Sequence, residues 1–173
     1  MMVEQLQFEW DASLAEAAGL VAERNLPPTF LDDAPAEDIV SELQKLSHVR
    51  LDREQLTILQ PSIFYILSNL TNLYLQENGL TNLKALENAK KLKFLTVANN
   101  RITNLEGLSS LLQLILFDAS NNSINHINVD SELPTSLSFL NITNNPCCWN
   151  QEGLFSKLKS FLPNLKDFDW KEM

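Results

Sequence analysis

The large apolar residues of this chain fall into five segments that share one spacing. They are "LSHVRLDREQL" from Leu46, "LTNLYLQENGL" from Leu70, "LKFLTVANNRI" from Leu92, "LILFDASNNSI" from Leu114 and "LSFLNITNNPC" from Leu137, with starts 24, 22, 22 and 23 residues apart. Each fits, with a few substitutions, L-x-x-L-x-L-x-x-N-x-L. The central apolar-x-apolar triplet predicts a short strand, because successive strand side chains point to opposite faces. One set points inward: Val49 and Leu51, Leu73 and Leu75, Leu95 and Val97, Phe117 and Ala119, Leu140 and Ile142. At the turn after each strand the backbone leaves the ladder, and its polar groups need partners. A buried asparagine amide supplies both donors and an acceptor. Asn78, Asn100, Asn122 and Asn145 hold that position, and Glu54 replaces it in the first unit, whose turn is therefore expected to be less regular.

The rest of each unit has room for a short helix or 3₁₀ turn. Leu83 and Leu86, then Leu105 and Leu108, are placed to reach the core from that side. No unit can bury its apolar face alone, so the stack must be sealed at both ends. Before the repeats, "ASLAEAAGLVAERNL" favours helix and stops at Pro27-Pro28. "PAEDIVSELQKL" predicts a second helix with Pro35 near its first turn, Asp32 or Asp33 as cap, and an apolar stripe of Ile39, Val40, Leu43 and Leu46. That helix is expected to cover the edge of the first strand. After the repeats, Leu154, Phe155, Leu158, Phe161 and Leu162 make the apolar face of a helix ending near Pro163, followed by a last half-repeat.

The fold class is therefore α/β: a right-handed solenoid with a short parallel concave sheet of five to six strands. Three parts are expected, an acidic N-terminal helical cap over residues 1–45, five repeats over 46–148 and a C-terminal cap over 149–173.

The fivefold pattern resembles the leucine-rich repeat. The short period, the short convex turns and the absence of cysteine-rich caps resemble its intracellular SDS22-like class. The ending "FLPNLKDFDW" looks like that class's cap motif, with Leu162, Pro163, Leu165 and Asp169 at the matching positions. "VAERNLP", "VRLDRE", "LYLQEN" and "LPTSLSFLNITNN" are similar to a family of leucine-rich-repeat proteins of motile cilia and sperm flagella. The resemblance implies a non-catalytic structural subunit of an axonemal complex whose partners are other proteins of that assembly. The alternative it implies is a regulatory module that recruits an enzyme, as SDS22-like proteins engage a protein phosphatase.

Charge narrows the classes further. The net charge is −9, and residues 1–45 carry ten of the 22 acids against only Arg24 and Lys45. An acidic head on a near-neutral body argues against nucleic acid, which needs a basic footprint, and against an anionic membrane surface. No stretch reaches the length of a membrane span, and the N-terminal "MMVEQLQFEWD" has no long apolar run. A soluble protein of the cytoplasm or cytoskeleton is expected, and the sequons at Asn69, Asn121 and Asn141 read as chance.

Candidate chemistry is sparse. The two histidines, His48 and His126, stand three repeats apart, roughly 15 Å at the strand spacing of a sheet. A nucleophile and its base need hydrogen-bond contact, so no enzyme activity is expected. Cys147 and Cys148 in "NNPCCWN" are the only thiols. Adjacent cysteines cannot both face one metal ion without strain, and a structural zinc site wants four ligands. Cys147 reads as the last apolar plug of the stack, with Trp149 packed where the stack meets the cap helix. No cofactor, metal, small-molecule substrate or self-association signal is read from the chain.

The outward strand positions remain. Aligned across the strands they give three rows: His48, Asn72, Phe94, Leu116, Phe139; then Arg50, Tyr74, Thr96, Asp118, Asn141; then Asp52, Gln76, Ala98, Ser120, Thr143. Phe94, Leu116 and Phe139 would form an exposed apolar patch of the kind that marks an interface. Arg50, Tyr74, Phe94, Leu116, Asp118, Phe139 and Asn141 are the candidate partner-binding residues.

Overall fold

The structure, a computed structural model, describes residues 12–150 and 152–169. Glu4, Glu9 and Asp11 of the acidic head lie outside the described residues, as does the chain from Trp170 onward. The first element is helix α1 (Ala12–Asn25), which buries Leu14, Ala18, Val21 and Ala22 along one face. Its alanines are strong helix formers. A single turn, α2 (Pro28–Leu31), and helix α3 (Ala36–Lys45) complete the N-terminal cap. Then come six three-residue strands: β1 (His48–Arg50), β2 (Asn72–Tyr74), β3 (Phe94–Thr96), β4 (Leu116–Asp118), β5 (Phe139–Asn141) and β6 (Asp167–Asp169). They form one parallel sheet in sequence order, and β6 is the last half-repeat. The register pairs His48 with Asn72, Asn72 with Phe94, Phe94 with Leu116 and Leu116 with Phe139, so the expected rows are real rows.

On the opposite side the units close with α4 (Ile63–Ile66), 3₁₀ turns at Lys84–Asn88 and Leu108–Ser110, and α5 (Val129–Glu132). Leu83, Leu86, Leu105 and Leu108 are fully buried there, as are the inward strand residues. Each such side chain contributes about 1.5–3 kcal/mol on leaving water. One glycine is demanded by this packing. Gly107 has φ +95°, and a Cβ there would sit 2.9 Å from Lys84 Cα in the preceding unit.

The turns are tied by the asparagines. Asn100 donates to Val97 O of its own unit (2.9 Å) and to Leu75 O of the preceding unit (2.9 Å), while its Oδ1 accepts Leu80 N–H (3.0 Å). Asn122 repeats this with Ala119, Val97 and Ile102. Asn145 does so with Ile142, Ala119 and Ile124, and Asn78 with Leu75, Leu51 and Leu56. Every bridge reaches back toward the N-terminus. The first unit has no repeat behind it, so Glu54 can replace asparagine there and instead pairs with Arg24 of α1 (2.6 Å). Its turn carries a second positive φ, at Gln55, beside the one at Arg53.

The residue before each of these five positions has φ near +60°: Arg53, Glu77, Asn99, Asn121 and Asn144. Asparagine tolerates that left-handed conformation better than other side-chain-bearing residues. The doublets Asn99-Asn100, Asn121-Asn122 and Asn144-Asn145 thus combine two demands, a left-handed residue followed by a bridging amide. Side-chain periodicity alone points to the second asparagine of each doublet only.

The last bridge closes differently. In earlier units the residue after the asparagine donates its N–H backward, as Ser123 does to Ile102 O (2.9 Å). Pro146 has no N–H. The N–H of Cys147 turns back to Ile124 O (2.8 Å) in its place, and helices α6 (Cys147–Asn150) and α7 (Leu154–Phe161) follow.

Some expectations about the caps need correction. The edge of β1 is covered by α1, not α3, because Asn25 at the end of α1 meets the exposed backbone: Arg50 N–H donates to Asn25 Oδ1 (2.7 Å), and Asn25 Nδ2 to Arg50 O (3.3 Å). Neither Asp32 nor Asp33 caps α3. Pro35 occupies its N-cap with no side-chain bond, and Asp32 closes α2 through its backbone N–H to Pro28 O. The α3 stripe itself packs as expected, with Leu43 fully buried and Ile39, Val40 and Leu46 partly buried against the core. Trp149 is 62% exposed rather than packed at the join, and Phe155 is also exposed, its ring under Lys159 Nζ at 4.5 Å. Leu154, Leu158 and Leu162 fill the α7 face instead.

Two stability outcomes follow from these bonds. Asn145→Ala removes four side-chain bonds, one of them long, from a site with no solvent exposure and is expected to cost about 1–3 kcal/mol through unpaired backbone groups. Cys147→Val, which keeps an apolar plug of similar size, is expected to stay within about 1.5 kcal/mol; equal melting temperatures for the two variants would refute the assignment. For the N-terminal edge, Asn25→Ala is expected to cost about 1–2 kcal/mol. Amide exchange should quicken at Arg50 and not at β4.

Candidate functional site

The outward face of the sheet divides in two. Over β1 and β2 its side chains are engaged with one another. The Arg50 guanidinium lies 5.6 Å from the Tyr74 ring centroid and pairs with Asp52 at 3.3 Å. His48 Nδ1 meets Ser47 Oγ at 2.9 Å, and Asn72 Oδ1 accepts from Thr71 Oγ1 at 2.8 Å. Arg53 and Glu77, on successive turns, make a two-point ion pair at 2.9 and 2.6 Å. That pairing holds the Glu77 carboxyl below its ordinary value and the Arg53 guanidinium above its own.

Over β3 to β5 the first row is apolar and open. Phe94 is 36% exposed and Phe139 39% exposed, with Leu116 half-buried between them. No described helix or loop folds over these two rings. In the second row Asp118 Oδ1 accepts the N–H of Ser120 (2.9 Å) and Asn141 Oδ1 accepts the N–H of Thr143 (3.1 Å). Asp118 and Asn141 therefore shape their own turns, a role the row alignment did not reveal. Thr96 donates to Gln76 Oε1 at 2.8 Å. What remains available to a partner is the apolar row itself.

Elsewhere the described residues offer little chemistry. His48 and His126 are both exposed; His126 Nε2 meets Asn128 Oδ1 at 3.2 Å, on a different loop. No group of three metal-ligating side chains is gathered among the described residues. Both thiols are free. Cys147 is held well above the ordinary thiol value by its hydrogen bond to Cys148 and by burial, and Cys148 donates to Ile142 O at 3.0 Å. No helix among the described residues is long and apolar enough to cross a membrane.

Two apolar hollows lie at the N-terminal joint. One of about 320 Å³ sits between α1 and the first unit, against Leu20, Leu56, Leu59 and Phe64, with Gln60 bonded to Ser13 at its rim. A second of about 450 Å³ runs between α1 and α3 over Ala15, Ala18 and Ala22.

Comparison with known proteins agrees with the geometry. A model of leucine-rich repeats, in two copies, matches residues 68–110. No curated protein matches the chain. A leucine-rich-repeat protein of Leptospira interrogans is similar in structure, with a TM-score of 0.65 and 24% identity over 80% of this chain and 34% of that one. Internalin C2 of Listeria monocytogenes gives 0.59 and 26% over 77% of this chain and 55% of its own. Internalin F of the same organism gives 0.59 and 23% over 78% and 38%. This chain spans from a third to just over half of those chains. The fold is that of a leucine-rich-repeat protein, with helices capping a parallel sheet at both ends.

Phe94 and Phe139 are partly exposed and neither is a fully buried core residue, so the fold is expected to survive their loss. The double variant Phe94→Ala, Phe139→Ala is expected to stay folded with a loss of about 1–3 kcal/mol, since each ring gives up only part of its surface to the fold. A larger loss in a thermal or urea melt would make these rings core residues and remove the patch.

Proposed function

We propose that this chain is a non-catalytic protein-interaction scaffold that docks a partner on the concave face of its sheet. The observation that carries the reading is the exposed apolar row of Phe94, Leu116 and Phe139 on three adjacent strands. Water disfavours such a row, and aromatic anchors dominate protein interfaces. Solenoids offer an extended concave surface for this use.

The host assembly is proposed from sequence resemblance alone. "RNLP", "VRLDRE" and the stretches named above resemble leucine-rich repeat-containing protein 46, a protein of motile cilia and sperm flagella. We accordingly place the chain as a structural subunit of an axonemal complex, in a radial spoke or another doublet-associated assembly.

Crosslinking mass spectrometry on isolated axonemes tests both parts. Lys93 and Lys166 flank the concave row, whereas Lys84 lies on a convex turn and Lys157 on α7. Links to a partner are expected from Lys93 and Lys166 and to be lost in the Phe94→Ala, Phe139→Ala variant. Links from Lys84 and Lys157 only would move the docking surface elsewhere. Recovery of the protein with phosphatase activity in the soluble pool, rather than on salt-washed axonemes, would replace the structural reading with the enzyme-recruiting one.

A further inference from the structure

The chemistry of the partner can be taken further from the shape and charge of the apolar row, granting the concave face as the docking surface. Phe94, Leu116 and Phe139 follow one another across β3, β4 and β5. Parallel strands are about 4.8 Å apart, so the row presents an apolar side chain every 4.8 Å or so, perpendicular to the strands. An α-helix laid along the row presents one per turn, about every 5.4 Å. The mismatch is about 0.6 Å per step, and side-chain torsions absorb it over the two steps between three side chains. An extended peptide laid the same way presents same-side residues about 6.7 Å apart, nearly 2 Å out per step. Nor can it add to the sheet at this row, because β3, β4 and β5 are each paired on both sides.

Charge gives the helix a sign. The residue preceding Phe94 is Lys93. Backbone bonds carry its row onward from Lys93 O to Ile115 N, Ile115 O to Ser138 N and Ser138 O to Lys166 N, each at 2.8 Å. Lys93 and Lys166 are both exposed, and neither has an ion-pair partner among the described residues. They stand three strand steps apart, roughly 14 Å, which is about nine residues of helix. Other basic groups of the sheet side are already engaged: Arg50 with Asp52 and Arg53 with Glu77. The row on the other side of the phenylalanines is acidic instead: Asp118, turned to the N–H of Ser120, is followed through Asn141 by Asp169 on β6, and Asp167 ends the phenylalanine row beyond Phe139.

We infer that the partner segment is an amphipathic α-helix lying across β3 to β5, with three apolar side chains one turn apart on the Phe94–Leu116–Phe139 row and acidic residues along the flank that faces Lys93 and Lys166. The apolar contacts carry the affinity. The lysines set which flank faces which edge of the sheet, since like charge placed there is repelled.

Three labelled 18-residue peptides test this by fluorescence anisotropy on the whole chain. All carry leucine at i, i+4 and i+7. One has glutamates along one flank, one has lysines there, and one is the glutamate peptide with a central proline that breaks the helix. The glutamate helix is expected to bind at least tenfold more tightly than either of the others. Lys93→Glu with Lys166→Glu is expected to reverse the order of the two helical peptides, and Phe94→Ala with Phe139→Ala to abolish binding. Equal binding of the acidic and basic helices, or undiminished binding of the proline peptide, overturns the acidic helix while leaving the concave row as the docking surface. No binding by any peptide also overturns the acidic helix. Binding that survives loss of both phenylalanines overturns the docking surface as well.

Discussion

The structure depends on one side-chain amide used four times. At the end of each strand the chain turns away from the sheet, and carbonyls of two successive units are left facing an interior without water. Asn100 supplies one N–H to each, while its oxygen takes an N–H of the preceding unit. Each such bond adds on the order of 1 kcal/mol, and a buried group without one loses up to about 3 kcal/mol. Since every bridge joins two units, no repeat satisfies its own backbone. The stack is cooperative for a polar reason as much as for an apolar one. The bridges also have a direction, which explains why the ends differ. Nothing behind β1 needs an amide at position 54, so a carboxylate there can face Arg24. At the other end Pro146 has no N–H to send back to the preceding unit, and the series can close on a proline because Cys147 N–H takes that bond to Ile124 O.

That division of labour gives the outward residues of the first row over β3 to β5 neither a core nor a turn position. Val49, Leu73, Leu95, Phe117 and Leu140 are fixed by burial, and the asparagines by the turns. Phe94 and Phe139 are fixed by neither. A residue whose identity the fold does not require, and which solvent disfavours, carries information about something outside the fold. Asp118 and Asn141 look equivalent to them in a row alignment, but their oxygens are occupied by the turn two residues on.

What could be read in the sequence was what repeats. The period places every repeat strand, its register and its inward residues, because a pattern seen five times averages out local exceptions. The caps are not periodic, and each rests on single contacts. Asn25 is an unremarked residue at the end of a helix until its side chain is seen on the backbone of Arg50. Asp32 and Asp33 have the right chemistry for an N-cap, yet the short turn α2 takes up Asp32 and a proline stands at the cap position. Trp149 looked like a core residue on size alone, whereas Cys147, Leu154 and Leu158 already fill the join. The asparagine doublets are visible in the sequence, but side-chain periodicity explains only their second members. The first member of each pair answers a backbone demand that side-chain periodicity does not express.

The two halves of the concave face differ in what binding would cost them. Over β1 and β2, Arg50, Tyr74 and Asp52 would have to release one another before meeting a partner. Over β3 to β5 the aromatic rings are already exposed, and they stand on strands hydrogen-bonded on both sides. Little ordering of backbone remains to be lost there, and pre-organised surfaces turn more of their contact energy into affinity. A partner docked on the proposed face would therefore find its contact energy on the C-terminal half of the sheet, while the N-terminal half is tied to α1 through Asn25 and Arg24.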